Sequence, residues 1–278
     1  GTLNFGGGVP GGVIGDIGTT NPLTLVHFNA GGNAIQLGGN AAATNFTFGA
    51  VDIVTAAGTI NGDIDFANSA GTLNANGGLI TGAVDATGGI NGTLNFGGGV
   101  PGGVIGDIGA TNPLTAINVM PGATVNLPNA VVRSTVINIG AVGGAGTLIR
   151  GGAVIFDVNN AANSSTMVTF GHADSVLKLQ NTNVVADSTV TLHANLVGVV
   201  DDHGKLQFSS SGDGRQLIIA KNALETIGAA TNNRIRELIV DGAEVTVVNP
   251  QVFAKTVTLN GTGVVGFVNG LDTGANST

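Results

Sequence analysis

Short runs in which apolar and polar residues alternate fill the second half of the chain. Examples are Val154–Val158, Met167–Phe170, Thr189–Leu192, Lys205–Phe208, Glu244–Val247 and Thr256–Leu259. A period of two predicts a β-strand that buries one side, and the Gly, Asn, Asp and Ser residues between the runs are typical of turns. The pattern therefore predicts an all-β chain built from many short strands.

The first half contains a long block that occurs twice. Residues 1–24 read GTLNFGGGVPGGVIGDIGTTNPLT, and residues 92–115 repeat them with a single change, from Thr19 to Ala110. The offset between the two copies is 91 residues. A stacked coil can be duplicated without redesign of its neighbours, so the block favours a solenoid.

Shorter echoes of the motif Gly-Thr-Ile/Leu-Asn begin at Gly58, Gly71 and Gly92. The interval from Gly71 to Gly92 is close to one coil of a solenoid, whereas the interval from Gly58 to Gly71 is too short for one. We therefore expect a right-handed parallel β-helix, with roughly a dozen coils of about 22 residues and a length on the order of 60 Å. Short strands with regular turns would also suit a sandwich or a barrel.

One segment carries the signals of a short helix. In Lys221–Gly228, Asn222 is a candidate N-cap, Glu225 could close a capping box and Gly228 could end the helix. We expect one or two helical turns there, in a loop or a cap on the rod.

Charge is distributed unevenly along the chain, whose net charge is −8. No Lys or Arg precedes Arg133, whereas residues 1–132 contain six Asp. We therefore divide the chain into a Gly-rich, repeat-bearing stretch, 1–150, and a more regular stretch, 151–278, which we expect to be continuous with the first. The second stretch holds all but two of the basic residues, so we expect any contact through charge pairs to lie there.

Composition argues against several kinds of partner. Nucleic acids and anionic membrane surfaces require clustered Lys and Arg, which residues 1–132 lack entirely, so we expect neither partner. No run approaches about 18 uninterrupted apolar residues, so we expect no membrane insertion by this segment. The absence of Cys excludes disulfides and suits a chain that is exported unfolded. The sequence contains no signal-peptide pattern and opens at Gly1 on a motif that recurs later, so we expect a fragment of a longer protein.

The motif GTLNFGGG, the GTIN and GTLN echoes and the phrase KTVTLNGTGVVGFVNG resemble the passengers of the rickettsial surface cell antigen family. The near-identical duplicate is similar to the repeat-bearing, outer membrane protein A type of that family. The resemblance implies an autotransporter passenger at the bacterial cell surface, attached to the outer membrane through a C-terminal β-barrel translocator outside this segment. It also implies adhesion to a protein or glycan on the host cell.

Two Gly-rich patterns partly match known binding motifs, one for phosphate and one for calcium, but each lacks essential features of its motif. Gly6–Gly12 lacks the Lys and the following helix of a phosphate-binding loop. The segments that end in Asp16 and Asp107 faintly resemble calcium-binding repeats, but they occur once per 91 residues and not in tandem. We interpret both patterns as turns of the repeat and predict no cofactor and no metal.

The densest polar cluster is Asp201-Asp202-His203, with His193 ten residues earlier. Such residues can ligate a divalent metal or act as acid and base, but a solvated turn explains them as well. Scattered charged residues could also form an anionic-sugar site: Arg133, Arg150, Asp157, Arg215, Arg234 and Arg236. No spacing in the sequence brings these together, and we interpret His27 and His172 as structural.

No assembled catalytic motif is present, so we predict a protein that is not an enzyme and has no catalytic residues. The expected role is a stalk or adhesin in host-cell attachment. A solenoid polysaccharide lyase or hydrolase, and a purely structural or antigenic spacer, are the alternatives.

Overall fold

The computed structural model describes residues 1–7, 12–98, 102–128, 131–151, 156–157, 167–181, 188–210, 216–219, 226–229, 233–247 and 251–267. Within these ranges the chain forms 29 strands and no helix. Neighbouring strands are parallel throughout, and strands in the body of the rod pair with strands of the preceding and following coils. The structure confirms the predicted all-β fold and the parallel β-helix.

The coils have three faces, which the chain visits in a fixed order. We number them so that each coil runs through face 1, face 2 and face 3. The strands are grouped into a 13-stranded, an 11-stranded and a 5-stranded sheet. The 13-stranded sheet begins on face 2 and continues on face 1, because β5 (Ala41–Phe48) and β7 (Ile60–Asp65) extend across both faces.

The other strands of face 1 are β9 (Leu79–Ile80), β12 (Gly102–Val104), β14 (Thr124–Leu127), β16 (Thr147–Gly151), β19 (Val176–Asn181), β22 (Lys205–Ser210), β25 (Ile235–Asp241) and β28 (Ala254–Asn260). Those of face 2 are β1 (Thr2–Gly6), β3 (Leu23–Asn29), β10 (Val84–Asp85), β17 (Phe156–Asp157), β20 (Ser188–His193), β23 (Gln216–Ile219), β26 (Glu244–Val247) and β29 (Val264–Phe267). Single bridge residues extend these stacks, with Ile17 on face 1 and Ile108 and Val132 on face 2.

Face 3 consists of the 11-stranded sheet alone. Its strands are β2 (Val13–Ile14), β4 (Ala34–Leu37), β6 (Ile53–Ala56), β8 (Thr72–Ala75), β11 (Asn91–Phe96), β13 (Leu114–Val119), β15 (Ser134–Ile139), β18 (Met167–Phe170), β21 (Asn195–Gly198), β24 (Thr226–Ile227) and β27 (Gln251–Val252).

The length of a coil changes along the chain. Thr72 stacks directly on Thr93, which confirms that the GTLN echoes at Gly71 and Gly92 are one coil apart. The echo at Gly58 lies on another face, because its Ile60 pairs with Ile80 on face 1. Later coils are longer, since Val136 pairs with Met167 in the coil that follows it. A single coil length of about 22 residues therefore describes only the earlier coils.

The interior is a set of apolar columns that run along the rod. On face 3 the inward positions stack in the order Val54, Leu73, Leu94, Ile117, Ile137, Val168 and Leu196, and all are buried. Burial of each such side chain stabilises the fold by roughly 1.5–3 kcal/mol before conformational entropy is subtracted. Alternation of apolar and polar residues puts these columns inside, as the sequence pattern predicts.

A column of phenylalanines fills face 2 in the first coils. Phe5, Phe28, Phe48 and Phe66 follow one another, with ring centroids 5.5, 5.1 and 4.7 Å apart. Offset and tilted aromatic pairs at these distances add to the stability that burial supplies. The aromatic residues of the chain therefore help to hold neighbouring coils together.

The outer side of face 3 carries a ladder of amide side chains. Asn138 donates to Asn118 at 2.7 Å, Asn118 donates to Asn95 at 2.6 Å, and Asn95 donates to Asn74 at 2.7 Å. The ladder ends at Thr55, whose hydroxyl accepts from Asn74 at 3.1 Å. Stacked amides of this kind reinforce parallel, in-register strands.

The predicted helix is wrong where the structure describes it. Thr226 and Ile227 form β24, and Ile227 pairs with Val252 of the next coil. Asn222 and Glu225, the proposed caps, lie outside the described residues. Stacking on face 3 decides the conformation of Thr226 and Ile227, and a local capping pattern cannot anticipate that contact.

Candidate functional site

The turn Asp201-Asp202-His203 lies at the corner where face 3 passes to face 1. It joins β21 to β22, and both Asp202 (φ 62°) and Gly204 (φ 86°) have left-handed backbone conformations. A side chain at Gly204 would collide with the ring of Phe170 in the preceding coil, so glycine is needed where the turn re-enters the strand. The turn therefore presents its two carboxylates at a fixed place on the corner.

Basic residues of the following coils converge on these carboxylates. Arg234 Nε lies 2.7 Å from Asp202 and 3.3 Å from Asp201, and Lys255 Nζ lies 2.6 Å from the other oxygen of Asp202. The three contributors belong to three successive coils at the same corner. The sequence does not predict that Arg234 and Lys255 contact Asp202. They are 32 and 53 residues away from it, and only the lengths of the coils place them at the same corner.

A second group of ion pairs between coils lies beside the first. Asp174 Oδ1 accepts from Arg236 at 2.8 Å and from Lys205 Nζ at 3.1 Å. Lys205 also lies 3.9 Å from Glu237, whose carboxylate accepts from the hydroxyl of Thr258. We call the eight residues of the two groups the charged corner: Asp174, Asp201, Asp202, Lys205, Arg234, Arg236, Glu237 and Lys255.

These contacts lower the pKa of two carboxyl groups of the charged corner, those of Asp202 and Asp174. Desolvation by burial opposes ionisation of Asp202, but hydrogen bonds from Arg234 and Lys255 outweigh it and hold the pKa below its usual value. A hydrogen bond from Lys205 is the main cause of the lowered pKa of Asp174. The hydrogen bond with Asp202 likewise raises the pKa of Arg234. A general acid at neutral pH needs a raised carboxyl pKa, so these carboxylates are better suited to fixed charge pairs.

His203 does not join the carboxylates in a metal site. Its Nδ1 is buried without a hydrogen-bond partner, and its ring centroid lies 6.3 Å from that of His172. The Nδ1 of His172 accepts from the backbone N–H of Asp174 at 3.1 Å. Within the described parts of the chain, no three His, Asp or Glu side chains gather as metal ligands.

The other predicted candidates are dispersed. Arg133 donates to the carbonyl of Ala110 at 3.0 Å and lies at the corner between faces 2 and 3, whereas the charged corner lies between faces 3 and 1. Arg234 and Arg236, by contrast, both lie in the charged corner. Nothing is described of the side chains of Arg150, Asp157 and His193, and Arg215 lies outside the described residues. His27 is hydrogen-bonded through Nδ1 to the hydroxyl of Thr47 at 2.7 Å, in the next coil, which supports its structural interpretation.

The carboxylates of the first half accept hydrogen bonds from backbone N–H groups of adjacent coils. Asp16 accepts from the N–H of Asn40 at 2.7 Å, and Asp107 from the N–H of Val131 at 3.2 Å. Each bond links two successive coils. The faint calcium-like segments at Asp16 and Asp107 therefore have a structural explanation.

The remaining four Asp of residues 1–132 follow the same rule. Asp63 accepts from Ala83, Asp65 from Thr87, Asp85 from Thr111 and Asn112, and the buried Asp52 from Ala30 and Gly32 of the preceding coil. Charge-assisted hydrogen bonds to backbone N–H groups are stronger than neutral ones. Acidic residues without basic partners thus have a role that composition alone did not reveal.

An apolar notch adjoins the charged corner. It has a volume of about 250 Å³ and is lined by Asn138, Gly140, Ala141, Val142, Thr169, Gly171 and Val199. Val142 is 88% exposed, and Val199 and Val200 are about half exposed directly before Asp201. Exposed apolar side chains beside fixed charges are typical of contact surfaces. The sequence signal is the placement of valines inside Gly- and Asp-bearing turns, which sequence reasoning missed.

No helix in the described residues is long and apolar enough to cross a membrane. No family model matches the chain, and no solved structure matches it. The chain is 30% identical to outer membrane protein A of Rickettsia rickettsii in an alignment of 249 residues, and the match covers 84% of the chain. It spans only 10% of that relative's length. This similarity confirms the resemblance to the surface cell antigen family that the motifs indicate.

Proposed function

We propose, on the premise that this chain resembles the rickettsial surface cell antigens, that it is a passenger segment of an autotransporter. It would lie outside the bacterial cell, attached to the outer membrane through a translocator elsewhere in the protein. There it would act as a stalk that presents an adhesive surface to the host cell. The relative's identity as an outer membrane protein supports the location.

The observation that carries the stalk role is the uninterrupted parallel stack. Face 3 alone orders 11 strands in one sheet, which at about 4.8 Å per strand corresponds to a length of roughly 50 Å. In the described residues, strands pair only with strands of adjacent coils, so coils can be added during export as they emerge. Such a rod holds its lateral surface at a fixed distance from its point of attachment.

The charged corner and the apolar notch support the adhesive role. Asp174 and Lys255 have side chains that are 52% exposed, and Arg236 is 43% exposed, so all three are available to a partner. Their positions are fixed by ion pairs across coils, which limits the entropy lost on binding. We therefore expect a host protein or glycan to contact this corner.

Binding of coated beads to host cells tests the proposal. Beads that carry the chain should bind cells above beads coated with an unrelated protein. Arg236→Gln should weaken binding several-fold, because Arg236 is an exposed cation of the corner, and Arg133→Gln is the charge-matched control away from it. If both variants bound as well as the parent chain, the charged corner would not be the adhesive surface. If the parent chain did not bind, the adhesive role would be wrong and the role of a structural spacer would remain.

A further inference from the structure

The two copies of the duplicated block lie on different faces of the rod. In copy 1, residues 1–24, the strand β1 is on face 2, β2 is on face 3 and Ile17 is on face 1. In copy 2, residues 92–115, the equivalent elements are β11 on face 3, β12 on face 1 and Ile108 on face 2. Every element of the second copy is displaced by one face in the same direction.

The displacement follows from the number of coils between the copies. Starting from β1, face 2 is occupied in turn by β3, β5, β7 and β10, which makes four complete coils. The next strand is β11, the start of copy 2, and it lies on face 3. The offset between the copies therefore equals four coils and one third of a coil.

Some features of the block are the same on either face. Ile17 and Ile108 are both buried bridge residues, and Gly18 and Gly109 have φ values of 63° and 66°. Asp16 and Asp107 each accept a backbone N–H of the following coil. The turn after the second strand of the block therefore keeps its backbone conformation and its contact with the following coil on either face.

One dipeptide adapts to the change of face. Val13 is 67% exposed, whereas Val104, at the same position of the block, is 1% exposed. Its neighbour shows the reverse: Ile14 packs against the core, and Ile105 is exposed. Two adjacent β-branched residues allow either one to face the interior, because a slip of one residue exchanges the two sides of a strand.

We infer that the unit formed by residues 1–91 shifts the phase of the rod, meaning the face on which the following sequence lies. Each unit that is added or removed turns all following coils by one face relative to the preceding ones. The block tolerates the turn because its sequence fits more than one face. In consequence, the number of units decides toward which side of the rod the charged corner points.

Disulfide trapping in the complete chain tests the phase of copy 2, since the chain has no Cys of its own. Asn74 and Asn95 are register partners on face 3, and partners in adjacent strands are within the reach of a disulfide. Asn74→Cys with Asn95→Cys should cross-link under mild oxidation. Asp65→Cys with Asn95→Cys should not cross-link. Asp65 lies on face 2, three coils after Asn4, so this pair would cross-link only if Asn95 followed Asn4 by four whole coils. Circular dichroism would show that both pairs are folded, and the reverse cross-linking pattern would overturn the inference.

Insertion of one further unit tests the phase shift itself. A second copy of residues 1–91 placed before Gly1 recreates the natural junction between Asn91 and Gly92. Asn4→Cys of the original copy should then cross-link to Asn74→Cys of the added unit. In the added unit, Asp65→Cys should not cross-link to the same Asn4→Cys. Failure of the first pair in a folded protein, or success of the second, would show that the block does not change face.

Discussion

At the scale of single residues, identical sequence has different consequences at different places on the rod. Val13 and Val104 share their neighbours in the chain, yet one is exposed and the other is in the core. The difference arises from the strands they meet: Val13 pairs with Gln36, and Val104 pairs with the buried Ile80. Local propensity cannot distinguish them.

Val104→Asp should destabilise the protein by at least about 2 kcal/mol, because it places a carboxylate in the apolar interior without a partner. Val13→Asp should change stability by less than about 0.5 kcal/mol, because its side chain is already in solvent. Urea unfolding of the two variants measures both. Similar losses in the two would contradict the difference in burial.

The carboxylate of Asp85 should make stability depend on pH. Burial opposes its ionisation, but hydrogen bonds from Thr111, Ala86 and Asn112 outweigh burial and lower its pKa below 3.8. Its contribution is therefore complete above the unfolded pKa of 3.8 and disappears as the pH falls through the lower folded value.

Asp85→Asn should cost about 1 kcal/mol near neutral pH, since an amide oxygen replaces a charged acceptor of several N–H groups. The difference from the parent chain should shrink as the pH falls below 3.8, because the unfolded chain then binds a proton at Asp85 that the folded chain binds only at a lower pH. Urea midpoints at several pH values measure it. A difference that does not change with pH would refute the role of the charge.

At the scale of elements, side-chain ladders join strands that sequence separates by one coil. The amide ladder on face 3 depends on Asn95 of copy 2, which bonds to Asn74 and Asn118. The same residue of copy 1, Asn4, lies on face 2 beside His27 and is outside this ladder. The contribution of an Asn to stability is therefore decided by its face.

Asn95→Ala should lower the free energy of unfolding by about 1–2 kcal/mol, because two hydrogen bonds of the ladder are lost. Asn4→Ala is the matched control and should have a smaller effect. Thermal unfolding followed by circular dichroism compares the two. If Asn4→Ala were the more damaging variant, the ladder would not be a source of stability.

At the scale of the whole molecule, the strand pairing of the rod joins nearest coils, and ion pairs at the charged corner also join coils that are two apart. The 11-stranded sheet runs from β2 to β27 without interruption, although the coils lengthen along the chain. Stability in such an array is close to a sum of terms for single coils and their interfaces. The division of the chain at residue 150 into two stretches stays a prediction.

Residues 92–278, expressed without the preceding unit, should fold. The shortened chain begins with the same block as the parent and retains every coil contact on the C-terminal side of β11. Circular dichroism should show strands, and urea should unfold it in a measurable transition. A coil-like spectrum would mean that the first unit supplies more than nearest-neighbour contacts.

The sequence by itself determined the fold class, indicated that the GTLN echoes at Gly71 and Gly92 are about one coil apart, and showed that most basic residues follow residue 150. These follow from periodicity, repeat offset and composition, which are local or additive properties. The tertiary structure decided which face each copy occupies, which carboxylates bind the next coil, and that Arg234 and Lys255 meet Asp202. All of these depend on the sum of coil lengths, because one residue more or less in a turn changes the partner of every residue stacked upon it.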